Sequence, residues 1–383
     1  MSLFKEYKIE DLVINYDKLR KPLSSRERER MKGKYPYYGA TSIIDYVNEY
    51  IFDDDYILLG EDGTVINNDG TPILQKISGK CWVNNHAHVL KNTNIIDIDY
   101  LYYALKNTNV SGAVTGAVQP KISQANMNAI IIQIHDDKND QMKVVRILKT
   151  IDDKIELNNK INKNLELHIN QLFSHYFINT ECQTWNTIPL ENIVYFQEGP
   201  GIRNWQYTNE GVKFINIRCI NNNDINLTTA NMISAEEANS KYSHFLLKPY
   251  DIVMSCSGTL GRYAIVRKKH LPLCLNTSII RFYPKELEDY GFIFSYLTSN
   301  LFLNMQQYMA NGSAQINFGP THLKQIQIKE PPTALRKKYN SIVMPLINTI
   351  IINLNENDAL TYTKNSLLPK LMSGEIDVSK VDI

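Results

Sequence analysis

The amino-acid sequence predicts an α+β protein made of two copies of one unit, in which a globular front part is followed by one long helix. Two features predict this architecture. Three short blocks recur in the same order about 195 residues apart, and an apolar spacing of three and four residues runs through the end of each copy. We expect the two long helices to form an antiparallel coiled coil that separates two globular domains, related by a pseudo-twofold internal repeat.

The recurring blocks are the basis for this repeat. Each block of the first copy has a counterpart in the second, at an offset of 195 or 196 residues. The pairs are YILLGEDGT (56–64) with DIVMSCSGT (251–259), GAVQPKI (116–122) with GSAQINF (312–318), and NQLFSHYF (170–177) with NSLLPKLM (365–372). Chance similarity between short apolar runs would not keep one order and one offset, so duplication of a unit explains the pattern better.

The front part of each copy has a mixed pattern. Short runs rich in Ile, Val and Tyr, at residues 56–59, 89–90 and 130–134, lie between Gly, Asn and Asp turns, which is typical of short strands. Residues 100–106 and 290–309 have helical spacing instead. We therefore predict a globular domain over residues 1–137, a long helix over 138–180, a second globular domain over 181–332, and a helix with a tail over 333–383.

The rear part of each copy has the pattern of a coiled-coil helix. Residues 143–177 contain neither Gly nor Pro, which favours one uninterrupted helix. The second copy contains Pro345, which is expected to weaken or kink its helix. The predicted seam consists of Leu148, Ile151, Ile155, Asn158, Asn162, Leu165, Ile342, Leu346, Asn353, Asn357, Leu360 and Leu367.

Two asparagines lie in the middle of the seam of each helix, Asn158 and Asn162 in the first and Asn353 and Asn357 in the second. Polar seam residues lower stability and set the register of a helix pair. If the helices run antiparallel, the two sets lie near the midpoint and can meet. The alternative is that these side chains face solvent where the seam frays.

Composition excludes several classes of protein. The chain has 383 residues, with 41 Lys and Arg against 40 Asp and Glu, and no apolar run long enough to cross a membrane. The start of the chain lacks the apolar core of a signal peptide. Five scattered cysteines without a CxxC motif offer neither a disulfide framework nor a zinc site: Cys81, Cys182, Cys219, Cys256 and Cys274. The sequence therefore predicts a cytoplasmic protein.

Known catalytic motifs are missing. The sequence has no phosphate-binding GxxxxGK[ST] loop, no HExxH and no GxSxG. His86 and His88 could contact a metal, but two ligands without a third favour packing or hydrogen bonding. The acidic residues 53–55 and 61–62 resemble a Mg²⁺ site, yet the second copy has Cys256 and Ser257 at the later pair, which favours a solvated loop. We expect no catalytic residue and no bound metal.

Local basic segments suit nucleic-acid binding. Residues 18–34 contain eight Lys and Arg against two Glu, enough to neutralise phosphates, although such a run is often only a solvated face. In the second copy Trp205 and Tyr207 lie among basic residues that include Arg267, Lys268 and Lys269. The candidate DNA-binding residues are Arg26, Arg28, Arg30, Lys32, Lys34, Thr64, Arg203, Arg218, Ser257, Thr259 and Arg262.

Six segments resemble the specificity subunit of type I restriction–modification systems, and the resemblance spans nearly the whole chain. They are YPYYGAT (35–41), YILLGEDG (56–63), VNNHAHV (83–89), GAVQPKIS (116–123), SGTLGR (257–262) and LLPKLMSGEI (367–376). The chain departs from the family pattern at Pro345, and QPKIS in the first copy has become QINFG in the second.

The resemblance implies a non-catalytic subunit with two target-recognition domains, each reading one half of a bipartite double-stranded DNA site. It implies that the coiled coil sets the spacing and docks two methyltransferase subunits. S-adenosylmethionine would then bind the methyltransferase subunits, and ATP and Mg²⁺ would serve restriction subunits where these are present. The resemblance does not distinguish a restriction complex from a solitary methyltransferase.

Two interpretations from other classes compete with this one. A protein-only structural adaptor would use the coiled coil for binding and would not bind DNA in the assembled complex. A stand-alone nuclease would retain a set of carboxylates in one domain and cleave DNA with a divalent metal. The basic segment and the two unlike domains favour DNA recognition over the adaptor.

Overall fold

The computed structural model describes residues 3–116, 118–178, 184–310 and 317–381. Cys182, and residues 312–316 of the second GSAQINF block, lie outside the described residues. The chain divides into two compact units, the first made of Met1–Ile155 and Ala359–Ile383 and the second of Glu156–Asp358. Within the described ranges, no helix combines the length and the apolar character needed to cross a membrane.

The first unit packs helices against two small sheets. Its strands are β1 (Phe4–Lys8), β2 (Val13–Asn15), β3 (Lys32–Tyr38), β4 (Ile43–Val47), β5 (Phe52–Asp53), β6 (Tyr56–Gly60), β7 (Leu74–Ile77), β8 (Lys80–Val83), β9 (Ala87–Asn92) and β10 (Ile131–His135). Its helices are α1 (Ile9–Leu12), α2 (Ser25–Arg30), α3 (Ile98–Lys106), α4 (Gln124–Asn128) and the start of α5 (Lys138–Phe173). The sheet orders are β2-β9-β6-β7 and β4-β3-β8-β5, and β1 pairs with β10.

Local sequence explains several of these elements. Strand β6 is an apolar run that is buried along its whole length, as expected for a central strand covered on both faces. Asp97 caps α3 by accepting hydrogen bonds from the backbone amides of Asp99 and Tyr100, and Ser24 forms a capping box with Glu27 at the start of α2.

The second unit contains strands β11 (Thr187–Pro189), β12 (Val194–Glu198), β13 (Tyr207–Thr208), β14 (Val212–Ile215), β15 (Ile220–Asn221), β16 (Asp224–Ile225), β17 (Asn231–Ile233), β18 (Ile252–Ser255), β19 (Tyr263–Ile265), β20 (Leu273–Leu275), β21 (Ile279–Pro284) and β22 (Gln327–Lys329). Its helices include α6 (Ala235–Asn239), α7 (Tyr290–Thr298), α8 (Asn300–Ala310), α9 (Pro320–Leu323) and most of α10 (Thr333–Ser373). Residues 290–309, predicted as one helical segment, are two helices that meet at Ser299.

The two units share one topology. The order β12-β21-β18-β19 reproduces β2-β9-β6-β7, and the parallel pair β14–β20 corresponds to β3–β8. The registers agree as well, since Gly60 lies opposite Ala87 and Ser255 lies opposite Ile279. The internal repeat predicted from the sequence is therefore confirmed.

Both long helices are present. Helix α5 passes into a π-helical turn at Ser174–Ile178, and α10 continues through Pro345 without a break. The weakening or kink expected at Pro345 stays a prediction. Pro345 is exposed, so water can satisfy the carbonyl that loses its helical partner. Val343 and Ile347, on either side of Pro345, are fully buried, and their packing holds the helix together.

The helices run antiparallel within each unit. In the second unit, Asn158 donates to Asn357 at 2.9 Å and Asn353 donates to Asn162 at 2.8 Å. Asn158 is fully buried, so the asparagines meet rather than face solvent. In the first unit, Lys364 of α10 forms an ion pair with Asp152 of α5. Of the predicted seam residues, Leu148, Asn158 and Asn162 are buried and the others are half-buried.

Replacing Asn162 alone by Leu is expected to lower the free energy of unfolding by about 1–3 kcal/mol, because the amide of Asn353 loses its acceptor. The double replacement Asn162→Leu with Asn353→Leu should recover this loss, since a leucine pair suits a seam better. Urea unfolding of the four proteins in a double-mutant cycle measures the coupling. Additive effects would contradict the pairing, and Asn164→Leu, at an exposed position of α5, is the control.

Candidate nucleic-acid interface

The basic segment 18–34 folds into the turn before α2, helix α2 itself and the start of β3. Its charges are not equivalent. Arg28 contacts Asp45 at 3.2 Å, donates to the Leu23 carbonyl at 2.7 Å and lies over the ring of Tyr37. Lys32 also pairs with Asp45, at 2.9 Å, and remains exposed.

Arg28 is therefore held by contacts within its own unit, and its DNA contact stays a prediction. The side chains of Arg26, Arg30 and Lys34 are exposed and form no ion pair with any described residue. These three keep their charge available to a ligand.

A surface of packed aromatic rings and lysines adjoins the basic segment. Tyr35 and Tyr50 pack edge to face at 5.2 Å, and each ring has a lysine ammonium over it, Lys34 at 5.3 Å and Lys80 at 4.6 Å. Tyr46 of β4 is about half exposed nearby in the chain. Lysines and aromatic rings in this arrangement suit phosphate and base contacts. Sequence reasoning missed Tyr50 and Lys80 because they are distant in the chain from the basic run.

Two motifs of the first unit, YILLGEDG (56–63) and GAVQPKIS (116–123), pair with each other as neighbouring loops. The loop after β6 forms a bridge between Asp62 and Lys121. The Gly63 amide donates to the Pro120 carbonyl at 3.0 Å, and the Ile122 amide donates to the Glu61 carbonyl at 2.9 Å. Gly63 has a φ of 82°, a conformation that glycine adopts without strain. Thr64 is exposed at the tip of this loop.

A group of mostly half-buried charges adjoins this loop pair. We call it the Glu61 cluster, and it consists of Asp17, Arg20, Glu61, His88 and Lys121. Arg20 pairs with Glu61 at 2.6 Å and with Asp17 at 3.4 Å, and Lys121 pairs with Glu61 at 3.2 Å. His88 contacts Asp17 at 2.6 Å and the Ile122 carbonyl at 2.9 Å.

The electrostatics of the Glu61 cluster favour ionised carboxylates. Burial opposes ionisation of Asp17, but hydrogen bonding and charge interaction with His88 outweigh it, so the pKa of Asp17 is lowered. The pKa of Glu61 is lowered against the same burial by Arg20, His88 and Lys121. Asp17, Glu61 and His88 stand close enough to share a metal ion, yet both carboxylates already face the guanidinium of Arg20. His86, the other histidine considered as a metal ligand, lies just before β9 and contacts Asp62 at 2.6 Å.

The second unit pairs the equivalent loops through its backbone. Ser257 bridges to Asn317, and the Phe318 amide donates to the Cys256 carbonyl at 2.7 Å. The Ser255 hydroxyl donates to the Thr259 carbonyl at 2.7 Å. Of the candidate DNA-binding residues of this unit, Ser257 is half-buried, and Arg203, Arg218, Thr259 and Arg262 are exposed.

Arg267 differs from these basic residues, because only 2% of it is exposed. It pairs with Asp224 and, at 2.6 Å, with Asp358, and it donates to Asn355 at 2.8 Å. The sequence placed Arg267 in a basic surface; the structure shows that it ties the hairpin β15–β16 to α10.

His270 lies beside Arg267, and its environment leads us to expect that the second unit is less stable at acidic pH. Its ring nitrogen Nδ1 accepts a hydrogen bond from the Arg267 amide at 3.1 Å, and burial, with the charge of Arg267, lowers its pKa from 6.5 to about 4. At a pH between these two values the unfolded chain binds a proton that the folded chain does not. The free energy of unfolding therefore decreases as the pH is lowered, by on the order of 2–3 kcal/mol from this group. Urea unfolding at pH 7 and pH 4.5 measures this decrease, and the free energy of unfolding should change less between the two pH values for His270→Asn than for wild type. The exposed His244 gives the control His244→Asn, and equal pH dependence in all three proteins would contradict the assignment.

The two α+β units repeat one topology, and each contains parts of both long helices. The chain belongs to the family described as the type I restriction modification DNA specificity domain, whose model matches residues 1–167 and 183–362.

Individual relatives agree with this assignment. The MjaVIII type I restriction enzyme specificity subunit of Methanocaldococcus jannaschii is 24% identical over 394 residues, which cover 96% of this chain and 92% of the relative. A putative type I restriction enzyme specificity subunit of Haemophilus influenzae is 33% identical over 147 residues, 38% of this chain and 37% of the relative. The crystal structure of the S subunit of a type I restriction–modification system from M. genitalium aligns with a TM-score of 0.56 at 18% identity, covering 97% of this chain and 96% of that one, and so shares the fold.

Proposed function

We propose that this chain is the DNA-recognition subunit of a type I restriction–modification complex and performs no catalysis itself. Each unit would read one half of a bipartite double-stranded site. Two methyltransferase subunits would dock on the chain and supply S-adenosylmethionine chemistry at adenine. Restriction subunits, where present, would supply ATP-driven cleavage with Mg²⁺.

The single observation that carries the proposal is that one topology occurs twice with different residues in the same loops. Glu61 and Asp62 of the first unit correspond to Cys256 and Ser257 of the second, by the register of β6 and β18. Two readers with unlike loops would recognise unlike half-sites. Because each mismatched base pair costs only about 1–3 kcal/mol, two half-sites together give discrimination that one small interface lacks.

The helix pair supports a spacing role. Buried asparagine contacts fix which residues of α5 and α10 lie opposite one another, as polar seam residues do in coiled coils. A linker of fixed length would make binding of the second half-site nearly intramolecular. The gap between the half-sites would then be constant.

The proposal is tested by expressing the chain with the methyltransferase subunit encoded beside it and mapping N6-methyladenine across the host genome. A split motif of two unlike half-sites with a constant gap is the expected result. A single uninterrupted motif would contradict two readers. If the purified complex is intact and no motif is methylated, a protein-only adaptor explains the chain better, and DNA cleavage by the isolated chain with Mg²⁺ would favour a nuclease.

The exposed arginines of α2 are expected to contact phosphates. Arg26→Gln and Arg30→Gln should each weaken binding of specific and non-specific duplexes alike, and should each reduce the slope of log affinity against log salt by about 1. Titration of the complex with a labelled duplex at several salt concentrations measures both quantities. Arg146→Gln, which removes an exposed arginine of α5, is the matched control, and an unchanged slope for the α2 variants would contradict the contact.

A further inference from the structure

The loop that carries Thr64 is held differently from its counterpart in the second unit. In the first unit it rests on the Glu61 cluster, where the side chains of Arg20, Glu61 and Asp17 are 12%, 14% and 9% exposed. The register of the central strands shows which residues replace the cluster. Glu61 corresponds to Cys256, and His88, opposite Leu59, corresponds to Ile280, opposite Met254.

The second unit has a different support at the same place. Cys256 and Ile280 are buried in its hydrophobic core, so the counterpart of Glu61 is a buried thiol. Burial, with the charge of Glu198, raises the pKa of this thiol to about 12, but Glu198 forms no ion pair with any described residue. Backbone hydrogen bonds join the paired loops in both units, and the first unit adds the ion pairs of the Glu61 cluster.

Glu61 is the centre of these connections. One of its carboxylate oxygens faces Arg20, which itself donates to the Ala87 carbonyl at 2.7 Å, and the other faces Lys121. Its backbone amide donates to the His86 carbonyl and its carbonyl accepts from the Ile122 amide, each at 2.9 Å. Side chain and backbone of one residue thus fix the loop after β6 to the start of β9 and to the GAVQPKIS segment.

Resting on the proposed function, we propose that Glu61 is a positioning residue for sequence readout by the first unit alone. It would hold Thr64 and the adjoining loop in the position that contact with base edges requires, without touching DNA itself. Base contacts depend on donor and acceptor placement, and such placement requires a supporting layer of fixed side chains. Loss of the carboxylate charge would relax the half-site read by the first unit and leave the other half-site unchanged.

The test uses the chain in complex with its methyltransferase subunit and compares the methylated motifs of wild type and Glu61→Gln across the genome. We expect discrimination at one or more positions of a single half-site to fall about tenfold, with the other half-site and the gap unchanged. Glu6→Gln removes an equal charge from an exposed position of β1 in the same unit and should leave the whole motif intact.

A second variant covers the case in which Glu61→Gln prevents assembly. Lys121 is about half exposed, so Lys121→Gln removes the outer cation of the Glu61 cluster without emptying a buried position. It should relax the same half-site by a smaller factor, with an unchanged melting temperature. Unaltered motifs in the assembled variants, or equal relaxation of both half-sites, would overturn the inference. Absence of a split motif with wild type would instead overturn the proposed function.

Discussion

Inserting seven residues into each long helix, between Leu157 and Asn158 and between Asp358 and Ala359, is expected to lengthen the gap between the half-sites. Seven residues add about 10 Å of helix, and the rise of 3.4 Å per base pair converts this into at most about three base pairs. These positions leave the contact between Asn158 and Asn357 and the ion pair of Arg267 with Asp358 intact. Neither half-site should change, because the loops of both units are untouched.

Mapping of methylated adenines measures the gap directly. Insertion into α5 alone is the matched control. It would shift the partners of Asn158 and Asn162 by seven residues and so destabilise the helix pair. A gap that stays constant with both insertions in an active complex would contradict the spacing role.

Replacing Arg267 by Ala is expected to lower the free energy of unfolding of the second unit by about 2–4 kcal/mol. Breaking a buried ion pair leaves the partner charges without compensation, and here Asp224 and Asp358 would both lose the same guanidinium. The hairpin β15–β16 would also lose its tie to α10. Urea unfolding followed by circular dichroism measures the change.

The matched control is Lys269→Ala. Lys269 also pairs with Asp358, but its side chain is 41% exposed, and exposed pairs contribute only about 0–1 kcal/mol. If the two variants lose similar amounts of unfolding free energy, the burial of Arg267 does not make its ion pairs more stabilising than an exposed pair. DNA binding by Lys269→Ala should remain close to that of wild type if the lysine serves only this pair.

Local patterns predicted the long helices and the repeat because both depend on residues near one another in the chain. The spacing of apolar residues identified α5 and α10, and one offset linked the loops around Thr64 and Thr259. The asparagine contacts could be anticipated because only one partner helix with a matching seam was available. The continuity of α10 through Pro345 could not, since it depends on whether the freed carbonyl faces water.

The DNA contacts of the candidate interface stay predictions, but the pairing of its charges could not be predicted from the sequence. Arg26 and Arg30 are exposed, whereas Arg28 and Arg267 are held by aspartates distant in the chain. Arg20 and Glu61 lie 41 residues apart, and nothing in their own neighbourhoods indicates that they pair. Tyr50 and Lys80 escaped notice for the same reason.

The sequence by itself determined the duplicated α+β architecture, the two long helices and the family. These follow from periodicity and motif order, which persist in the unfolded chain. Only the tertiary structure decided which charged side chains stay exposed and which form ion pairs within a unit. A charged side chain is exposed or paired according to the partner that folding brings beside it, and that partner is set by long-range packing.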